Sequence, residues 1–96
     1  MGEVGRLRGV KYAERRWEST FRSSGVRAGS SEAKALARTI GELRTRDLPG
    51  PEDYEVPMLP AADVVRYGRQ IPNTTLRLVY NFDDAYVYLI SLHRRM

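Results

Sequence analysis

One imidazole and a set of arginines are the residues of this chain best suited to chemistry. His93 is the only histidine. It alone has an ordinary pKa near neutrality, so it is the natural group to accept or release a proton at physiological pH. Arg94 and Arg95 follow it directly, and Arg66, Arg69 and Arg77 stand in the same third of the chain. A guanidinium makes paired hydrogen bonds to a phosphate or a carboxylate. Convergence of Arg94 and Arg95 with Arg69 would build a phosphate site beside a proton-transfer group. The plain alternatives are an exposed histidine at a fraying end and a basic tail that meets an acidic partner.

Charge is distributed unevenly. Residues 1–46 carry eleven cations and five anions, residues 47–63 five acids and no base, and residues 64–96 five arginines and two aspartates. Fourteen of the sixteen basic residues are Arg, a choice that suits phosphate or acidic partners, although the same residues serve simply to solvate a surface. With no cysteine and one histidine, a disulfide scaffold, thiol chemistry and the usual Cys/His zinc site are excluded, and no metal or cofactor is expected. No apolar run is long enough to cross a membrane, and the first residues lack a secretory leader's apolar segment. A cytoplasmic protein is expected. Ninety-six residues make one domain with one modest core, so function should sit on an exposed face or shallow groove.

The elements that must position these groups follow from periodicity. Residues 4–12, with Leu7, Val10 and Tyr12, read as a short first strand. Ala13, Trp17 and Phe21 recur at helical spacing and predict a helix over 13–23 with those aromatics in the core. Gly29-Ser30-Ser31 offers a cap, and Ala33, Leu36, Ala37, Ile40 and Leu43 predict a second helix over 31–46. Leu48-Pro49-Gly50-Pro51 ends it. Tyr54–Leu59, fenced by prolines, reads as an edge strand or loop. Val64–Ile71, Thr75–Phe82 and Tyr86–His93 read as strands joined by turns at Pro72-Asn73-Thr74 and Asp83-Asp84. In the last strand, simple alternation puts Tyr86, Tyr88, Ile90 and Leu92 on one face and Val87, Leu89, Ser91 and His93 on the other. Apolar residues on both faces predict an interior strand, with Tyr80 and Ile90 buried. The fold class is α+β: an N-terminal strand and a helical hairpin packed on a twisted, mainly antiparallel sheet.

Two segments of this pattern are similar to a known family. Leu76-Arg77-Leu78-Val79-Tyr80-Asn81-Phe82-Asp83-Asp84, followed by Val87-Tyr88-Leu89-Ile90-Ser91-Leu92-His93-Arg94-Arg95, resembles the closing hairpin of RelE/ParE-type toxins of bacterial toxin–antitoxin systems. The strand and helices before it stand in the matching order, so the resemblance spans nearly the whole chain, 1–96, as a single domain. It implies a toxin neutralised by a cognate antitoxin in a hetero-oligomer. In the RelE-like branch it implies an endoribonuclease that cuts mRNA at the ribosome, by attack of a 2′-hydroxyl on the adjacent phosphate. In the ParE-like branch it implies a DNA gyrase inhibitor without nuclease activity, and a third possibility is an inactive member that only binds an antitoxin or nucleic acid.

Carried over residue by residue, the resemblance makes Arg95 the C-terminal catalytic arginine, with His93 as acid or base and Arg69 as the second phosphate-binding arginine. Arg66, Arg77 and Arg94 become substrate contacts, with Arg66 a rival to Arg69. Glu52 or Glu55 would supply a base in some branches, where their stretch reads otherwise as a solvated loop. The chain departs from the pattern twice. A tyrosine that follows the terminal arginine in many RelE-like nucleases has no counterpart at Met96, and Glu52-Asp53-Tyr54-Glu55 is acidic where some relatives carry lysines.

Overall fold

The apolar periodicity resolves into two helices packed on a five-stranded mixed sheet. The computed structural model describes residues 7–56 and 65–95. Within them run β1 (Gly9–Tyr12), α1 (Glu14–Ser24), α2 (Ser31–Thr45), β2 (Tyr54–Val56), β3 (Arg66–Gln70), β4 (Leu76–Phe82) and β5 (Tyr86–Arg94). The parts of the expected strands at 4–6, 57–59 and 64 lie outside the described residues. Strand order is β1-β5-β4-β3-β2; β1 pairs with β5 in parallel and every other pair is antiparallel. As expected, β5 lies inside the sheet and β2 lies at an edge.

Each helix ends where its local chemistry dictates. The Ser30 hydroxyl caps α2 by accepting the Ala33 N–H at 3.1 Å. At the other end Arg8 serves the carbonyls that the last turn leaves without partners. Its backbone N–H donates to Arg44 O, and its guanidinium donates to Leu43 O and Arg46 O. Gly25, at φ 77°, closes α1 in the left-handed conformation that glycine adopts without steric cost. β1 stops at Tyr12, and α1 then continues along the β5 edge that β1 leaves open. Ala13 N–H donates to Leu89 O at 2.8 Å, and Leu92 N–H donates to the Thr20 hydroxyl at 3.0 Å.

Leu36 and Leu43 of α2 meet Leu76, Leu78, Tyr80, Val87, Leu89 and Leu92 from the sheet, and these side chains form the core. Tyr80 is fully buried and Ile90 nearly so. The aromatics of α1 depart from expectation: Trp17 only packs partly against this core, and Phe21 is 36% exposed. Because α1 follows the sheet edge, its apolar stripe faces α2 across a groove instead of lying flat on the strands.

The alternation expected of β5 also breaks. Tyr80 pairs with Leu89 and Val79 with Ser91, so Ile90 is an extra residue opposite the Val79/Tyr80 step. Such a bulge shifts every later side chain to the other face. Leu92 therefore joins Val87 and Leu89 in the core, while His93 passes to the opposite side of the sheet.

The strongest polar contact is buried beneath α2. Arg69, only 3% exposed, donates from Nε to Asp53 Oδ1 at 2.6 Å and from Nη2 to Oδ2 at 2.8 Å. The Tyr80 hydroxyl and Gly50 N–H each donate to Asp53 Oδ2 at 2.6 Å. Burial by itself would raise the Asp53 carboxyl. The hydrogen bonds from Arg69, Tyr80 and Gly50 outweigh it and hold the group below the usual carboxylate range. Glu42, at 3.6 Å, and Glu52, at 3.9 Å, add negative charge around the same guanidinium.

Removing one partner of a buried pair costs about 3–5 kcal/mol, because the other charge stays buried. Asp53→Ala is expected near the lower end, since Glu42 and Glu52 still face Arg69; urea unfolding measures it. The Asp53 pKa is depressed on folding. Its contribution is therefore complete above the unfolded carboxyl's pKa and disappears as pH falls through the lower folded value. Wild type should lose more stability than Asp53→Ala between pH 5 and pH 2.

Candidate functional site

Pairing across the ladders sorts the arginines by face. Arg69 pairs with Leu78, which pairs with Leu92, so all three point toward the helices. Arg94 pairs with Leu76 on that same side. Its Nη1 and Nη2 donate to Glu32 at 2.8 and 2.9 Å, and its Nε donates to Ser24 O at 3.0 Å. Arg94 thereby ties the end of α1 to the start of α2. Both guanidiniums are engaged by carboxylates, so neither joins the site expected around His93. That is the correction the structure makes to the expected convergence of Arg69 and Arg94 with Arg95.

The other face gathers a different set. Gln70 pairs with Arg77 and Arg77 with His93, giving one row across β3, β4 and β5. Arg66 lies on this face by alternation from Gly68 and Gln70. Arg77 and His93 are exposed. Arg95 is exposed too, one step beyond β5, with its N–H donating to Thr75 O. At the far end of the face Lys11 Nζ lies 4.1 Å from the centre of the Tyr86 ring. Glu52 stands 3.9 Å from Arg69 instead of in this row, and Glu55 pairs with Tyr67 at the sheet edge.

His93 is held through one ring nitrogen. Ser91, two residues back on the same face and 4% exposed, places its hydroxyl 2.8 Å from His93 Nε2. Among the described residues no other hydrogen bond reaches the ring, which leaves Nδ1 for solvent or a ligand. Partial burial lowers the His93 pKa, and the positive charges of Arg77 and Arg16 lower it further. The imidazole is therefore neutral at physiological pH and able to accept a proton. Among the described residues no cluster of three His, Asp or Glu side chains could hold a metal ion.

A second surface lies between the helices. Tyr12, Trp17 and Phe21 form a continuous aromatic ladder, with ring centres 5.7 and 5.9 Å apart. They line a groove of about 570 Å³ along α1, and the same rings face Ala33, Ala37 and Ile40 on α2. The spacing of Trp17 and Phe21 was visible in the sequence, but their exposure was not. No helix among the described residues is long and apolar enough to cross a membrane. No protein-family model, curated protein or solved structure matches the chain significantly.

Arg77 pairs with His93 across the ladder, and its charge helps lower the His93 pKa. Arg77→Ala should raise the His93 pKa toward its ordinary value, as followed by imidazole NMR titration. Arg69→Ala should leave that titration nearly unchanged while lowering Tm. An unchanged His93 titration in Arg77→Ala would show that the row is not electrostatically coupled.

Proposed function

We propose that this chain is a toxin of the RelE/ParE type that cleaves single-stranded RNA, with His93 and Arg77 at the centre of its site. The observation that carries this reading is their pairing across β4 and β5, with the imidazole held neutral beside an exposed guanidinium. The similarity of residues 76–95 to the closing hairpin of that family points the same way.

Neutral His93 takes the proton of a ribose 2′-hydroxyl. The oxygen attacks the adjacent phosphorus, a 2′,3′-cyclic phosphate forms, and the bond to the 5′-oxygen breaks as that oxygen gains a proton from water, whose hydroxide takes the proton from His93. Arg77, with Arg95 beyond the strand end, offsets the charge that builds on the phosphoryl oxygens. Arg66 extends the basic face along the RNA backbone. In this reading Arg69 and Arg94 hold the scaffold and touch no substrate. The cell compartment is the cytoplasm, where mRNA and the ribosome are found.

The partner in this reading is a cognate antitoxin whose apolar segment occupies the groove of Tyr12, Trp17 and Phe21. An exposed aromatic patch of this kind commonly marks an interface. Phe21→Glu should abolish co-purification with a co-expressed antitoxin while leaving toxicity intact.

Removing one transition-state donor costs about two to three orders of magnitude in rate. His93→Gln and Arg77→Ala should each abolish growth arrest without lowering Tm. Arg38→Ala, on the outer side of α2, should remain toxic. Arrest by blocked translation, with RNA fragments ending in cyclic phosphate, supports the nuclease. Arrest through DNA damage that persists in His93→Gln would instead make the chain a gyrase inhibitor.

A further inference from the structure

We propose that Tyr54 is the nucleobase platform of this site and that Gly68 is the seat that holds its ring against the sheet. The inference rests on the RNA reading above and deepens it by assigning the group that receives a base.

The chemistry begins with an aromatic residue where solvation alone would favour a small polar one. Tyr54 lies on the edge strand β2 and is 42% exposed. It pairs with Gly68, which pairs with Val79, which pairs with Ser91. This row is the direct neighbour of Gln70, Arg77 and His93, two residues further along β3. Gln70 stands about 7 Å along β3 from Gly68, and Arg77 one strand further, about 5 Å to the side, so the ring over Gly68 lies roughly 8–9 Å from the strand position of Arg77.

The ring crosses directly over Gly68. A Cβ at that position would stand 2.6 Å from Tyr54 Cζ, 2.7 Å from its hydroxyl oxygen and 2.8 Å from Cε2. Only glycine lets the ring lie that close to the strand. Among the described residues no hydrogen bond engages the Tyr54 hydroxyl, so packing on the glycine sets the ring's orientation. Its backbone is anchored one residue earlier, where Asp53 binds Arg69 and Tyr80. The platform is therefore ordered before a base arrives, which reduces the entropy lost on stacking. Stacking on an aromatic side chain tolerates any base, whereas Arg77 and His93 serve the backbone. The two rows thus divide recognition into a phosphate subsite and a base subsite.

The test uses the whole chain and a hexanucleotide of 2′-O-methyl RNA, which binds but lacks the attacking hydroxyl. Tyr54→Ala, an edge-strand change that leaves the core intact, should weaken binding roughly tenfold or more. Tyr54→Phe should restore most of that loss, because the ring and not the hydroxyl does the stacking. A hexanucleotide lacking its bases should bind wild type and Tyr54→Ala equally. Gly68→Ala should reproduce the Tyr54→Ala loss if it folds, as judged by Tm. If Tyr54→Ala binds as tightly as wild type while Arg77→Ala is weakened, the platform is overturned and the phosphate site stands. If wild type itself fails to bind the hexanucleotide, the RNA reading fails and takes the platform with it.

Discussion

The buried pair of Arg69 and Asp53 is the contact that the rest of this small fold depends on. A 96-residue chain has too little core to carry an isolated buried charge. Here both groups are almost fully enclosed, and both carboxylate oxygens are used. One side of the pair stands on β3. The other fixes the segment from Gly50 to Asp53, which leads from α2 into β2. Tyr80 adds its hydroxyl from the centre of the sheet, so three elements meet at one carboxylate. The network also anchors the residue before Tyr54, beside β3.

The bulge at Ile90 is the second constraint, and it decides the chemistry of the surface. Without it, strict alternation would send His93 to the side of Val87 and Leu89, under the helices. With it, Leu92 completes the core and His93 stands beside Arg77 on the far face. One inserted residue therefore separates the basic groups by task. Arg69 and Arg94 turn inward or sideways to carboxylates, while Arg77 and His93 face outward. The lowered pKa of His93 follows from that placement, since partial burial and nearby guanidiniums oppose the charged imidazole.

The helices contribute a different surface. α1 follows the edge of β5 and satisfies the strand groups that β1 does not reach, through Ala13 and Thr20. A helix held by an edge cannot also lie flat on the sheet, so Trp17 and Phe21 turn toward α2. The groove they line is separate from the face of Arg77 and His93.

By itself the sequence determined the elements and the fold class. The i, i+3, i+4 stripe from Ala33 to Leu43, the turn residues around Asn73 and Asp83, and the apolar strands are local signals, and each appears close to its expected bounds. Burial of Tyr80 and the interior position of β5 were legible for the same reason. The face of each charged side chain was not. Arg69 and Arg77 look alike in sequence, but one meets Asp53, sixteen residues away, while the other pairs across a ladder with His93. The side of the sheet that His93 occupies depends on one extra residue, which no periodicity announces. The parallel pairing of β1, the exposure of Phe21 and the seat of Tyr54 over Gly68 likewise rest on contacts between residues far apart in sequence. Local propensity fixes what each segment becomes; only the packed structure decides which side chains share a surface.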